Sequence, residues 1–167
     1  ATAYRPGGST KLNAQLHIGK PVLLKLDIKH FFDNVGYNLL KEKVFTEKRY
    51  SEQISSLLSI LCLYMGALPQ GAPTSPIISN IIMRDFDDTV GEWCREKGIA
   101  YTRYCDDMTF SGEFDPKVVI KLVKRELKKL NLSLNKKKTI VARKAQKQTV
   151  TGIVVNEKIQ VSNNYRK

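Results

Sequence analysis

Apolar residues along this chain follow two patterns: short unbroken runs, and stretches that repeat every three or four positions. "PVLLKLDI" (21–28) is a run of strand length with little alternation, which predicts a strand buried on both faces. "FDN" breaks it, and "YNLLKEKVF" (37–45) predicts a short helix. "SEQISSLLSILCLYM" (51–65) opens on a cap-like serine and predicts a mostly buried helix. "GALPQGAPTSP" (66–76) is punctuated by Gly and Pro and reads as a loop. After Pro76, the apolar residues Ile78, Ile82, Phe86, Val90 and Trp93 recur at helical spacing, predicting one long amphipathic helix that ends near Gly98.

"YTRYCDDMTFSG" (101–112) reads as two paired strands with Asp106 and Asp107 at the turn. Asp115 and Pro116 supply an N-cap and a first-turn residue for "KVVIKLVKRELKKL" (117–130). That helix has Val119, Ile120, Val123, Leu127 and Leu130 on one side and Lys and Arg on the other. "KTIVAR", "TVTGIVV" and "KIQVS" then read as short strands, and "TKLNAQLH" (10–17) near the start as a helical stretch. The order predicts an α+β fold, an antiparallel sheet with helices on one face.

At 167 residues the chain suits one domain with a real core. It has no apolar run of about 18 residues, so no membrane span is expected. "ATAYRPGGSTKLNAQ" has no signal-peptide design and no initial Met, which suggests a piece entered mid-protein. Charge changes the picture more: 28 Lys and Arg against 16 Asp and Glu give a formal +12. A domain this basic suggests a polyanionic partner, since phosphate neutralisation releases counterions. Cys62, Cys94 and Cys105 have no metal-ligand spacing and an odd count, which fits a reducing cytoplasm. His17 and His30 make no zinc motif.

Candidate chemistry rests on carboxylates. Asp27 ends the apolar run, and burying it unpaired would cost about several kcal/mol, so it belongs at the sheet's end or beside a partner. If the 101–112 hairpin lies next to that strand, Asp27, Asp106 and Asp107 crowd together and raise one another's pKa values. A hard divalent cation relieves such crowding, and Mg²⁺ takes carboxylate oxygens together with substrate phosphates. A strand-end cap and an ordinary acidic turn account for the same residues. Asp85, Asp87 and Asp88 form a second acidic cluster; there the core face set by Ile82, Phe86 and Val90 predicts that Asp87 and Asp88 point largely to solvent.

"LLKLDIKHFFDNV", "LPQGAPTSPIISNII" and "YTRYCDDMTFS", in that order and spacing, resemble the palm motifs of reverse transcriptases. The hairpin is similar to the family's Tyr-x-Asp-Asp box, with Cys105 in its variable slot, and "NKKKT" (135–139) to the next motif. "NAQLH" (13–17) and "QTVTGIVVN" (148–156) resemble the bacterial retron branch, over the related group II intron and diversity-generating types.

The resemblance implies a polymerase palm with a ferredoxin- or RRM-like core over 21–167. Residues 1–20 would be a remnant of the fingers–palm junction, with the thumb and most of the fingers outside the chain. It implies RNA-directed DNA polymerisation by two Mg²⁺ ions (or Mn²⁺) held by Asp27 and Asp106, with Asp107 assisting. Phe32 would be the steric gate that selects deoxynucleotides. Gln70 and Gly71 would line the nucleotide pocket. Ser75 and Asn80 would contact template or hold the helix start, and Gly152 would belong to the hairpin gripping the primer end. Lys138 resembles the general acid toward pyrophosphate, with Lys136 and Lys137 as alternatives and a solvated Lys run as the competing reading. The implied partners are a structured noncoding RNA template, a DNA primer and product, and dNTPs, with no membrane. Exposed primer-grip and helical surfaces could drive self-association. The retron branch also implies antiviral defence. The basic residues that hold the triphosphate lie upstream of this region, and Arg5 has no assigned role. Two other readings of the same residues are a catalytically inactive nucleic-acid-binding palm and a nucleotide cyclase-type palm.

Overall fold

The computed structural model describes residues 1–4 and 7–161, so Arg5, Ser162 and the terminal "NNYRK" lie outside the described residues. Its elements are α1 (Thr10–Gln15), β1 (Val22–Asp27), α2 (Tyr37–Lys43), α3 (Glu52–Leu61), α4 (Ser75–Ile82), α5 (Arg84–Glu96), β2 (Ala100–Tyr104), β3 (Asp107–Gly112), α6 (Pro116–Lys128) and β4 (Ile140–Arg143). Three short strands follow: β5 (Thr149–Val150), β6 (Ile153–Val154) and β7 (Gln160–Val161). Single 3₁₀ turns form at Phe32–Asn34 and Lys136–Lys138.

The main sheet is antiparallel throughout, in the order β2-β3-β1-β4; β5-β6-β7 form a separate sheet. Side chains alternate between faces along a strand, and the register sorts them cleanly. Leu24 lies opposite Phe110 and Leu26 opposite Met108, and all four sit in the main core with Phe86, Val90, Val119, Val123 and Leu127 of α5 and α6. Leu23 is on the other face, packed with Ala14, Val150 and Val155. β1 is therefore buried from both sides, as its apolar run predicts, by helices on one face and by α1 and the small sheet on the other. Asp27 shares the Leu23 face.

The helix boundaries follow local chemistry. The Ser51 and Asp115 side chains accept from the backbone N–H of Ile54 and Lys117, capping α3 and α6, and Pro116 occupies the first turn of α6. The single long helix expected after Pro76 is two, broken at the buried Met83, where no proline or glycine marks the break.

The expectation of a mostly buried α3 is wrong in an instructive way. Ile54, Leu57, Ile60 and Leu61 are exposed, whereas Ser55 and Ser59 are fully buried. The Ser55 hydroxyl donates to the Phe45 carbonyl and the Ser59 hydroxyl to the Ser55 carbonyl (2.8 Å). Small hydroxyls satisfied by backbone let α3 approach α2 closely, so its apolar side faces outward.

His17, just past α1, is fully buried between the Ser111 and Thr102 hydroxyls at 2.7 and 2.8 Å, pinning α1 to the face that also carries Asp27. Burial, helped by the charge of Lys20, lowers its pKa to about 4.

Two predictions follow from this packing. Leu57→Ser and Ile60→Ser should shift the unfolding free energy by no more than about 0.5 kcal/mol in urea titrations, whereas Ser59→Leu should cost about 1–3 kcal/mol by overpacking. For His17, the unfolded chain protonates near pH 6.5 while the folded chain stays neutral down to about 4. The unfolded state therefore binds more protons in that window, and stability falls as pH drops through it. His17→Gln should remove an acid-side loss of about 3 kcal/mol from the pH–stability profile.

Candidate active site

β1 and β3 place Asp27 directly opposite Asp107, and β2 places Tyr104 opposite Asp107. All three residues share the sheet face away from α5 and α6. The hairpin between Tyr104 and Asp107 is a two-residue loop of Cys105 and Asp106, and Cys105 takes φ 59. A first loop residue in the left-handed region is the pattern of a type II′ hairpin, where glycine is the usual occupant. The Ile28 N–H donates to the Asp106 carbonyl (3.2 Å), tying the loop back to the end of β1.

Asp27 is buried, 4% exposed, and its carboxylate accepts from the Lys138 ammonium at 2.8 Å. Backbone pairing explains how Lys138 arrives there. Lys29 N–H donates to the Ser133 carbonyl and Asn135 N–H to the Asp27 carbonyl (2.8 Å each), laying the segment after α6 along the end of β1. The Asn135 side chain then accepts from the Lys137 N–H and starts the 3₁₀ turn that delivers Lys138. Lys136 and Lys137 instead line a cavity with Lys29, His30, Ser133, Leu134 and Asn135. The Asp27 contact raises the pKa of Lys138 above its ordinary value.

Partial desolvation, then the charges of Asp106 and Asp27, raise the pKa of Asp107, against the opposing pull of Lys25 and Lys138. The three carboxylates are electrostatic neighbours. Among the described residues, however, no three Asp, Glu, His or Cys side chains converge as a ready metal cage. Like charges spread apart, and Asp27 turns to Lys138. This donor set of hard oxygens beside a solvent-open tip suits a magnesium-type ion, which takes only one or two protein carboxylates and completes its shell with phosphate and water.

The remaining sequence candidates divide. Phe31 is in the core, whereas Phe32 is half-buried with its ring edge-on to Phe31 at 5.3 Å, on the turn that follows Asp27. Asn34, which the sequence reading passed over, fixes that turn by donating to the Lys29 and His30 carbonyls at 3.0 and 2.9 Å. Gln70 and Gly71 are exposed in a loop tied to the same turn by the Leu68 N–H bond to the Val35 carbonyl (3.0 Å). Gly71 has φ 90, and a Cβ there would meet nothing within 4 Å, so its need for glycine is conformational.

Ser75 is buried and donates to the Pro69 carbonyl (2.6 Å), holding the loop at the start of α4. Asn80 donates to the Ala3 carbonyl (3.0 Å) and accepts from Arg103 (3.3 Å). Gly152 lies in the β5–β6 turn, where Thr151 and Gly152 both have positive φ, as a type I′ hairpin requires; it belongs to the small sheet.

Asp87 overturns its expected solvent role. Its side chain is 14% exposed and makes a two-pronged contact with the fully buried Arg103, at 2.8 Å to Nε and 2.6 Å to Nη2. The Tyr101 hydroxyl donates to it at 2.7 Å, and the amino group of Ala1 is 3.5 Å away. Burial opposes the charge, but the Arg103 and Tyr101 contacts more than compensate and lower the pKa of Asp87. A signal was present: Arg103 falls on the same strand face as Tyr101, the core face, where an arginine must be paired. Asp88 is exposed, as expected, and Asp85 pairs at the surface with Lys43 (3.2 Å).

Comparison with known proteins agrees with this architecture. The family profile described as reverse transcriptase (RNA-dependent DNA polymerase) matches residues 1–155. The retron Ec86 reverse transcriptase of Escherichia coli is 34% identical over 87% of this chain and 46% of its own length. The retron Ec83 enzyme of the same organism is 33% identical over 97% and 56%, and the retron Mx65 enzyme of Myxococcus xanthus 31% over 99% and 43%. The chain thus spans about half the length of the curated relatives it matches. In fold it is similar to telomerase from Candida albicans, solved with a fragment of telomeric RNA, with a TM-score of 0.67 at 13% identity over 98% of this chain and 35% of that one. A family match across nearly the whole described chain, over a sheet that sets Asp27 against the Asp106–Asp107 tip, leaves a plain conclusion: this chain belongs to the reverse transcriptase family.

Proposed function

We propose that this chain is the palm of a retron-like RNA-directed DNA polymerase, with residues 21–167 as the palm proper and residues 1–20 as the fingers–palm junction. One observation carries the reading: Asp27 and Asp107 are opposed on neighbouring strands, with Asp106 at the tip and Lys138 on the Asp27 carboxylate. Asp27 and Asp106, assisted by Asp107, would hold divalent metal, Mg²⁺ or Mn²⁺. Bound there, the metal would lower the pKa of a primer hydroxyl and neutralise charge on the phosphates.

The chain's own residues supply the rest. Lys138, exposed and charged, is placed to neutralise Asp27 and to offer a proton to a leaving pyrophosphate. Its position favours it over Lys136 and Lys137, whose cavity lies to the side. Phe32, braced by Phe31, presents a rigid ring on the turn after Asp27, suited to excluding a ribose 2′-hydroxyl. Gln70 offers an uncharged amide from the exposed loop, and Gly71 keeps that backbone open to close approach. Gly152 would act at the primer end from the small sheet. For Ser75 and Asn80 the bonds within the chain favour holding the α4 end over contacting template.

Net charge of +12 suits a nucleic-acid partner, and the retron relatives support a structured RNA as template, with dNTPs and a DNA primer. Cys62, Cys94 and Cys105 are free thiols, which suits the cytoplasm. No helix among the described residues is long and apolar enough to cross a membrane. A place in antiviral defence rests on the retron likeness alone.

Primer extension by the full-length protein on an RNA template, with dNTPs and Mg²⁺, tests the reading. Labelled DNA should appear, and Asp106→Asn should reduce it by about 10²-fold or more. No extension across varied primers and metals by folded, RNA-bound protein would leave a nucleic-acid-binding palm instead. In the same assay Lys138→Ala should lower single-turnover kcat by about 10²-fold, whereas Lys137→Ala should change it by less than about threefold.

A further inference from the structure

Arg103 is the largest fully buried side chain among the described residues, and its guanidinium does more than neutralise Asp87. While Nε and Nη2 grip the carboxylate, Nη1 donates to the carbonyl of Cys105 at 2.7 Å. Nη2 also reaches the Asn80 side-chain oxygen at 3.3 Å. Cys105 is the residue before Asp106, and its left-handed φ of 59 is costly for a side chain with a Cβ. A strained loop residue persists only when its surroundings over-determine it. Here the surroundings are identifiable. The Cys105 carbonyl is held from the core by Arg103, and the Asp106 carbonyl is held from β1 by the Ile28 N–H.

The geometry of that hold matters. A planar guanidinium offers several donors in a fixed fork, so fixing two of them on Asp87 fixes where the third points. Asp87 is in turn fixed by the Tyr101 hydroxyl, and Tyr101 stacks on Phe110 at 4.9 Å between ring centres. The chain of contacts runs from α5 through Asp87 and Arg103 to the hairpin tip. It lies on the helix side of the sheet, opposite the face that carries Asp27.

We propose that the buried Arg103–Asp87 pair is a positioning device: it clamps the Cys105 carbonyl, holds the tip in its strained turn, and so sets Asp106 and Asp107 against Asp27. This rests on the polymerase reading for its purpose, but its structural content is independent of any activity. Arg103 and Asp87 touch no substrate. They act through the backbone of the loop that carries the carboxylates.

The decisive variant is the double change Arg103→Met with Asp87→Leu in the full-length protein. Removing one partner alone would strand a buried charge, whereas replacing both with apolar groups of similar size commonly preserves the fold. The readout is amide hydrogen exchange at Ile28, whose N–H bonds the Asp106 carbonyl, with the central amides of α6 as the measure of global stability. The clamp predicts exchange at Ile28 faster by about tenfold or more, relative to the α6 amides.

In primer extension the same variant should lose kcat by about 10²-fold while the KM for dNTP stays within about twofold. Ile28 exchange at the unaltered rate in a folded double variant would overturn the proposal and leave the pair as core filling. Should the double variant not fold, Arg103→Lys decides the matter. An ammonium is a single point donor and cannot span Asp87, Asn80 and the Cys105 carbonyl as the planar fork does, so Ile28 exchange should still rise relative to α6, and an unchanged rate would overturn the clamp. Absence of polymerisation by the unaltered protein would refute the proposed function while leaving the Ile28 comparison readable.

Discussion

The pairing register of β1 with β3 is the constraint on which everything else depends. Side chains alternate with a period of two, so this one register puts Leu24 and Leu26 against Phe110 and Met108 in the core while turning Asp27 and Asp107 together on the opposite face. A slip by one residue would turn the carboxylates toward α5 and α6 and take Leu24 and Leu26 out of the main core. The apolar contacts that stabilise the sheet therefore also align the acidic residues. Burying a Leu or Phe side chain is worth about 1.5–3 kcal/mol, so several such contacts outweigh the repulsion of the carboxylates brought together at the strand ends.

Asp27 and Asp87 are each met by a cation, and the two cations differ in kind. Lys138 meets Asp27 at the open face, with its own side chain 62% exposed, and it arrives from a short turn organised by Asn135. An ammonium is a compact, hydrated point charge on a flexible stem, able to leave one anion for another. Arg103 meets Asp87 on the closed face with no exposure at all and with each of its three nitrogens hydrogen-bonded. The first arrangement suits a group that changes partners during a reaction. The second suits a part that must not move.

Much of this was legible in the sequence. The strand at 21–28, the hairpin at 101–112 and the capped helix after Asp115 follow from pattern and cap chemistry, and the ordered motifs singled out Asp27, Asp106, Asp107 and Lys138, which the fold places at one end of the sheet. What was not legible has physical reasons. The outward apolar side of α3 depends on Ser55 and Ser59 bonding to backbone carbonyls, which composition cannot show. A helix periodicity says which residues share a face, but not which face meets the core. The apolar stripe of α5, taken alone, predicts a solvated Asp87. Its partner Arg103 is sixteen residues away on β2, and only the packing of α5 on that strand joins them.

The two faces of the sheet are thereby coupled through a few backbone atoms. Cys105 and Asp106 present their carbonyls to opposite anchors, Arg103 from the helix side and Ile28 from β1. Between these two carbonyls lies the backbone of Asp106, the residue that carries the first tip carboxylate. Holding both ends fixes its orientation more firmly than either bond alone, because a rotation that lengthened one would strain the other. The carboxylate tip can then remain solvent-open while the backbone beneath it is held. In this fold, rigidity at the site comes from the buried face and access from the exposed one, and the left-handed residue between them is the joint.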